Sequence, residues 1–174
     1  IGAAFAAVLA EAGYGLVLTA RRADRLAAVA VGLRARHGVP VAVVVADLAD
    51  PAAPAALVEA VAALGLQVDV LVNNAGYGVP GRYAATEWAR QRDFVQVLVT
   101  AVAELTHRLL PGMIERRFGR VLNIASLAAL VPAAPGHTLY AASKAFLVKF
   151  SEALAGECRA DGVHVTAVCP GFTY

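Results

Sequence analysis

The sequence predicts an α/β fold, a doubly wound parallel sheet with helices on both faces. Three observations predict it. Short runs rich in Val, Leu and Ile, bounded by turn or charged residues, read as strands buried on both faces. Longer Ala-rich segments between them read as helices. The two kinds alternate with short connections, which is the pattern of βαβ units.

In order, the chain opens on a helix over residues 2–12, closed by Gly13 at a C-cap position. "YGLVLTA" (14–20) is the first strand, followed by a helix over 22–36 that ends at Gly38. "VPVAVVVAD" (39–47) is the second strand. A helix over 51–64 follows, with Asp50 as its N-cap, Pro51 in its first turn and Gly65 after its end. "VDVLVNNAG" (68–76) is the third strand, and a long helix over 86–117 carries Pro111-Gly112, which are expected to kink or break it. "GRVLNIAS" (119–126), a helix over 139–160 and "GVHVTAVCPG" (162–171) complete the pattern. In a doubly wound sheet of order 3-2-1-4-5-6 the first strand is central. A chain that opens on a helix is therefore expected to lack that strand, and "PGFTY" at the other end is expected to run on into a further segment. The expectation is a single, partial dinucleotide-binding domain over 1–174.

Composition narrows the function classes. Of 174 residues 59% are hydrophobic and 16% charged, and the mean hydropathy is +0.64, which argues against disorder. A net charge of +2 with arginines and acids interspersed gives no basic stripe for nucleic acid. Apolar runs are interrupted by charge, Gly or Pro before reaching the roughly 20 residues of a membrane span, so no membrane partner is expected. Cys158 and Cys169 have no metal-type spacing, and the four histidines are scattered, so no metal site is expected. Two cysteines without a secretion signal point to free thiols and a cytoplasmic setting.

Several short motifs carry candidate chemistry. Ile1-Gly2, directly before a helix, fits the last piece of a glycine-rich turn that presents amides to a pyrophosphate, or simply a helix start. Counting about 20 residues on from Gly2 reaches Arg21 and Arg22, with no acid before Asp24. A guanidinium there suits a 2′-phosphate, which places NADP ahead of NAD; otherwise these arginines belong to a solvated helix start. Asp47 ends a strand, where it can accept from an adenine amino group or serve as a turn residue. "NNAG" (73–76) joins amides that can tie strands together to an alanine and glycine that let backbone approach a flat ligand, or forms a polar turn. Ser126 ends a buried strand, where ligands bind in open α/β sheets and where turn serines are also common.

"YAASK" places Tyr140 and Lys144 on one helix face at i, i+4. A neighbouring ammonium favours the phenolate, which brings a phenol closer to acid–base work near neutral pH. Coincidence on a helix is the alternative. Trp88 and Met113 read as packing residues, and His137 as a loop histidine.

The ordered set, "IG" opening a helix, "ARR", "NNAG", a strand-end serine, "YAASK" and "PGF", resembles that of the short-chain dehydrogenases/reductases in their single-Rossmann-domain form. The resemblance spans essentially the whole chain. It implies an NADP(H)-dependent oxidoreductase interconverting a carbonyl and a secondary alcohol. Tyr140 would be its acid–base group, Lys144 would lower the phenol's pKa and bind the nicotinamide ribose, and Ser126 would hold the substrate oxygen. It implies that Gly2, Arg21, Arg22, Asp47, Asn74, Ala75, Gly76, Pro170, Gly171 and Thr173 line the cofactor together with Tyr140 and Lys144. It further implies a homo-oligomer of the full-length protein acting on a small-molecule carbonyl or alcohol. One departure stands out: Leu98 occupies a position where many members carry an asparagine in a proton relay to the lysine. That departure keeps a nucleotide-binding regulator without turnover open as an alternative. An isomerase or dehydratase on the same fold is the third reading.

Overall fold

A computed structural model describes residues 1–172. Its elements are α1 (Gly2–Glu11), β1 (Leu16–Ala20), α2 (Ala23–His37), β2 (Val41–Val45), α3 (Ala53–Ala63), β3 (Val70–Asn73), α4 (Trp88–Val95), α5 (Ala101–Glu115), β4 (Gly119–Ile124), α6 (Thr138–Cys158) and β5 (Val163–Val168). A π turn over Gln96–Thr100 joins α4 to α5 in one continuous helix, and a short 3-10 turn over Leu127–Ala129 follows β4.

All strand pairings are parallel, as the doubly wound reading requires. β1 pairs with β2 in the register Leu16 to Val41, β3 with β4 from Val70 to Arg120, and β4 with β5 from Gly119 to Val163. The pairings form two sheets, β1-β2 and β3-β4-β5. Among the described residues no strand stands between β1 and β3, the position that the first strand holds in the order 3-2-1-4-5-6. A cavity of about 1230 Å³ lies there instead, lined by both facing strands and by α1 and α3. Apolar packing spans it: Leu57 and Val61 of α3 and Leu105 of α5 share a core cluster with Val17 of β1, Val44 of β2 and Leu71 of β3.

The helices follow from one apolar stripe each. α1 and α2 pack Ala6, Ala10, Ala30 and Leu33 against Val41 and Leu16 on the β1-β2 side. α5 and α6 close over β4 and β5 through Met113, Leu154 and Cys158 against Val121, Val163 and Val165. The helix from Trp88 to Glu115 runs 28 residues and is long and apolar enough to cross a membrane by length and composition. Its sequence is interrupted by Glu104 and Arg108. Here its stripe Phe94, Leu98, Ala101, Val102, Leu105 and Met113 is buried inside the fold.

Two boundary expectations change. Pro111 lies inside α5 without ending it, near the last turn. Its missing N–H removes one bond there, and packing of Leu105 and Met113 holds the helix through it. The helical irregularity is the π turn, fifteen residues earlier at its start. Asp50 caps a turn that precedes α3, its carboxylate accepting from Ala52 N at 2.9 Å, and the helix itself starts at Ala53 with Pro54 in its first turn. Gly38, by contrast, closes α2 in the left-handed region as expected, at φ 69°.

Gly162 makes the sharpest turn demand, with φ 79° and a backbone carbonyl, that of Arg117, where a Cβ would sit. Gly162→Ala is therefore expected to destabilise the fold by more than about 3 kcal/mol, left-handed strain adding to a clash with backbone. A urea midpoint within error of the parent would contradict this.

Candidate functional site

The carboxyl end of β3 runs into Asn73-Asn74-Ala75-Gly76. Asn73 is buried, and its amide donates to Asn123 Oδ1 at 2.8 Å and to Thr106 Oγ1 at 3.3 Å. Asn123 in turn donates to Ser151 Oγ at 2.8 Å, and Ser151 and Thr106 donate back to their own helices, to the carbonyls of Leu147 and Val102. This chain of bonds ties β3, β4, α5 and α6 together directly beneath the site. A buried hydrogen-bonded network of this kind helps fix the relative placement of its elements. The expectation that the amides join strands is met by Asn73. Its partners Asn123, Thr106 and Ser151 were overlooked, although a lone asparagine in the apolar run "VLNIAS" was a visible signal.

Asn74 turns the other way, toward α1. A Cβ built on Gly2 would stand 2.6 Å from Asn74 Nδ2, so the helix start and the amide meet only because residue 2 is glycine. Gly76 provides an open backbone surface beside the lysine: a Cβ there would sit 3.7 Å from Lys144 Nζ and 3.6 Å from Leu98 Cγ. Along the cavity wall lie Gly2, Arg21, Arg22, Asp47, Asn74, Ala75 and Gly76. Gly2, Arg21, Arg22 and Asp47 are those expected toward the pyrophosphate and adenosine of a dinucleotide, and Asn74, Ala75 and Gly76 those expected along it. The arginines are exposed and free to turn toward an anion, and Asp47 is engaged in a local turn, accepting from Ala49 N at 3.1 Å.

One further residue joins this end. Tyr77 lines the same cavity and packs edge-on against Phe94 at 5.5 Å. Burial pushes its phenol pKa up, and Asp93 and Asp47 add to the rise while Arg21 and Arg90 oppose it. Tyr77 thus shares the cavity wall with Arg21 and Asp47. Sequence reading passed over it because it follows a glycine-rich turn with no motif of its own.

The second group is built on α6. Lys144 is buried, 6% exposed, and Nζ donates to the carbonyl of Ile124 at the end of β4, 2.7 Å away. Burial holds its pKa below the ordinary lysine value. Tyr140 lies one turn earlier, its ring centroid 5.7 Å from Nζ, half-buried with its ring against the cluster of Val79, Phe94, Val97 and Leu98. Ser126 follows β4, and its Oγ accepts from Ala128 N at 3.2 Å. Pro170 is drawn to the serine's turn, its carbonyl accepting from Leu127 N at 2.9 Å, while Gly171 is exposed and Thr173 lies outside the described residues. Ser126, Tyr140, Lys144, Pro170 and Gly171 do not line the large cavity; Gly76, touching both Lys144 and the cavity, links the two groups.

Leu98 is 1% exposed and lies within the π turn. Its side chain closes the space beside Gly76 with methyl groups that offer no hydrogen bond.

Comparison with known proteins fits this geometry. The family model described as short chain dehydrogenase matches residues 1–174. A very-long-chain 3-oxoacyl-CoA reductase of Laccaria bicolor is 37% identical over 169 residues, which is 95% of this chain and 49% of that protein. The chain thus spans about half the length of this and a second such reductase, from Coprinopsis cinerea. A short-chain dehydrogenase of Sphingobium yanoikuyae, solved in complex with NADPH, superposes with a TM-score of 0.92 at 34% identity, covering 99% of this chain and 67% of that one. L-sorbose reductase of Gluconobacter frateurii, solved with NADPH and L-sorbose, superposes at 0.90 with 35% identity, over 98% and 65% of the two chains.

Proposed function

The chain belongs to the short-chain dehydrogenase family, and on that premise we propose that the full-length protein interconverts a carbonyl and a secondary alcohol with NADP(H). The observation that carries the reading is the Lys144 ammonium. It is anchored by the Ile124 carbonyl, it borders the open backbone of Gly76, and it stands one helical turn from Tyr140. A buried ammonium keeps two donors beyond the one anchored, enough to hold a ribose hydroxyl. The cofactor, when bound, supplies or accepts the hydride. Tyr140 gives a proton to the substrate oxygen on reduction and takes it back on oxidation. Ser126 donates a hydrogen bond to that oxygen, its own acceptor side being occupied by Ala128 N. Gly2, Asn74, Ala75 and Gly76 would bear the dinucleotide on backbone, and Arg21 and Arg22 would meet its 2′-phosphate. The NADPH-bound relatives support the cofactor, and the named reductases support the reaction.

The direct test is NADPH consumption by the full-length protein against a panel of neutral ketones and keto acids. Absence of turnover with all of them, together with a Tyr140→Phe variant that behaves as the parent, would sink the reading. Removing both guanidinium groups, Arg21→Ser with Arg22→Ser, is expected to weaken NADPH binding about ten- to a hundredfold and NADH binding by less than about threefold, since a charged hydrogen bond contributes roughly 1.5–3 kcal/mol. Fluorescence titration of the two cofactors checks this; equal losses for both would remove the 2′-phosphate assignment.

Leu98 favours a second reading, a nucleotide-binding regulator, because its methyls stand where a relay side chain would serve Lys144. Tight NADPH binding without turnover that Leu98→Asn leaves unchanged would support it. Turnover gained by Leu98→Asn would instead support the enzyme.

A further inference from the structure

We propose that Gln91 is a positioning residue for the reaction: through Thr86 it holds the segment over 77–87 against the Tyr140 ring, and so sets where the phenol stands. The proposal rests on the reductase reading, because it takes Tyr140 as the proton donor. Gln91 lies on α4 and is 5% exposed, a primary amide inside the fold. Together with Gly81 and Tyr83 it lines one cleft with Thr138, Leu139 and Tyr140, and that cleft is too narrow for a water molecule. Val79, from the same segment, packs in the cluster that carries the Tyr140 ring. The Tyr140 hydroxyl makes no hydrogen bond among the described residues, so packing orients it.

The bonds of the amide show how the segment is held. Gln91 Nε2 donates to Thr86 Oγ1 at 2.6 Å, and Thr86 Oγ1 donates to the carbonyl of Tyr83 at 2.8 Å. A hydroxyl that already donates to a carbonyl has only lone pairs left to offer, so the amide presents its N–H there. Among the described residues this is the one side-chain hydrogen bond that ties the segment over 77–87 to another element. A backbone bond completes the hold: Gly81 N donates to Gly136 O at 3.0 Å, just before α6 begins. Gly81 reaches that partner at φ 126°, a conformation that favours glycine. The segment is thus fixed both to α4 and to the approach to α6, and both fixing residues line the cleft with Tyr140.

Packing alone does not call for an amide at this position. A buried amide is costly unless it is bonded, and replacing a bonded pair by apolar groups of the same shape is nearly neutral for stability. What the amide adds is direction, because its bond to Thr86 fixes one geometry of the segment. Such a constraint matters where a proton is transferred, since a misplacement of about 1 Å can cost roughly a hundredfold in rate. Neither Gln91 nor Thr86 lines the large cavity assigned to the dinucleotide. Their effect therefore falls on the proton step and not on cofactor binding.

The test uses the full-length protein with NADPH and the ketone of the panel that it reduces fastest. Gln91→Leu and Thr86→Val are each expected to lower kcat about ten- to a hundredfold and to leave NADPH affinity within about threefold. The double variant should lose no more than either alone, and Thr86→Ser, which keeps the hydroxyl, should retain the parent rate. In a Tyr140→Phe background Gln91→Leu should cost less than about twofold, because a residue that acts through Tyr140 then has nothing left to position. A full additional loss in that background overturns the proposal, as does a parent-like kcat in Gln91→Leu. A second readout needs no turnover: fluorine NMR of the protein carrying fluorotyrosine, with the Tyr140 and Tyr14 signals each assigned by their absence from the matching Phe variant. Gln91→Leu should shift or broaden the Tyr140 signal and leave that of Tyr14 in place. An unmoved Tyr140 signal overturns the proposal. A parent without turnover whose Tyr140 signal responds to Gln91→Leu separates the two readings: the reductase falls, and the placement of Tyr140 by Gln91 stands.

Discussion

Tyr140→Phe in the full-length protein is expected to lower kcat/KM for ketone reduction by roughly 10²- to 10⁴-fold, the usual contribution of a positioned general acid. The substitution removes one hydroxyl. It leaves the ring in its cluster with Val79, Phe94, Val97 and Leu98, and it leaves the edge contact with His137 at 6.4 Å. The hydroxyl makes no hydrogen bond among the described residues, so nothing in the fold loses a partner. Thermal midpoint should therefore stay within error, and NADPH affinity within about threefold, because the ribose contact is assigned to Lys144. The pattern matters more than the size of the loss. Equal loss of stability and activity would make Tyr140 a packing residue. A loss confined to KM would make it a binding group rather than the proton donor.

The strands were legible because a parallel sheet buries both faces, which selects runs of mostly apolar side chains. "VPVAVVVAD" and "VDVLVNNAG" could hardly be read otherwise. The helix ends at Gly38 and Gly65 were legible for a local reason, a left-handed residue that glycine adopts without strain. Features set by distant contacts were harder to see. Pro111 is a local signal for a break, but burial of Leu105 and Met113 on either side overrides it. The π turn has no signal in "QVLVT", since an inserted residue in a helix is a response to what packs on either side of it. In the site, residue types and spacing pointed to Tyr140, Lys144 and Ser126. What spacing could not supply was the anchor of Lys144, a backbone carbonyl twenty residues away that leaves no trace in side-chain identity. Tyr77 escaped for the same reason: its neighbours Arg21, Asp47 and Asp93 come from three separate elements.

Lys144→Met is expected to abolish measurable turnover and to change how stability depends on pH. Met fills nearly the same space in a pocket where the lysine is only 6% exposed, so the replacement leaves packing intact. Two opposing terms then act on stability at neutral pH. The variant escapes the penalty of keeping an ammonium away from water, and it leaves the Ile124 carbonyl without its donor, a loss of about 1–3 kcal/mol. These offset each other, so the urea midpoint at neutral pH should move little. The pH series discriminates. Burial holds the folded pKa of Lys144 below its unfolded value, so between the two values the unfolded chain binds more protons than the folded one. Stability of the parent relative to the variant must then rise with pH across that window, by at most about 1.4 kcal/mol for each unit the two pKa values differ. Below the folded pKa the difference should be flat, because both states carry the proton. A relative stability that falls as pH rises would mean that the folded protein favours the ammonium over water. The lysine would then be held by an unrecognised anionic partner, and its role beside Gly76 as a desolvated donor to a ribose hydroxyl would have to be given up. A rise across the window, with turnover lost and the fold retained, leaves Lys144 as a charge placed in a poor solvent for what it does to Tyr140 and the cofactor.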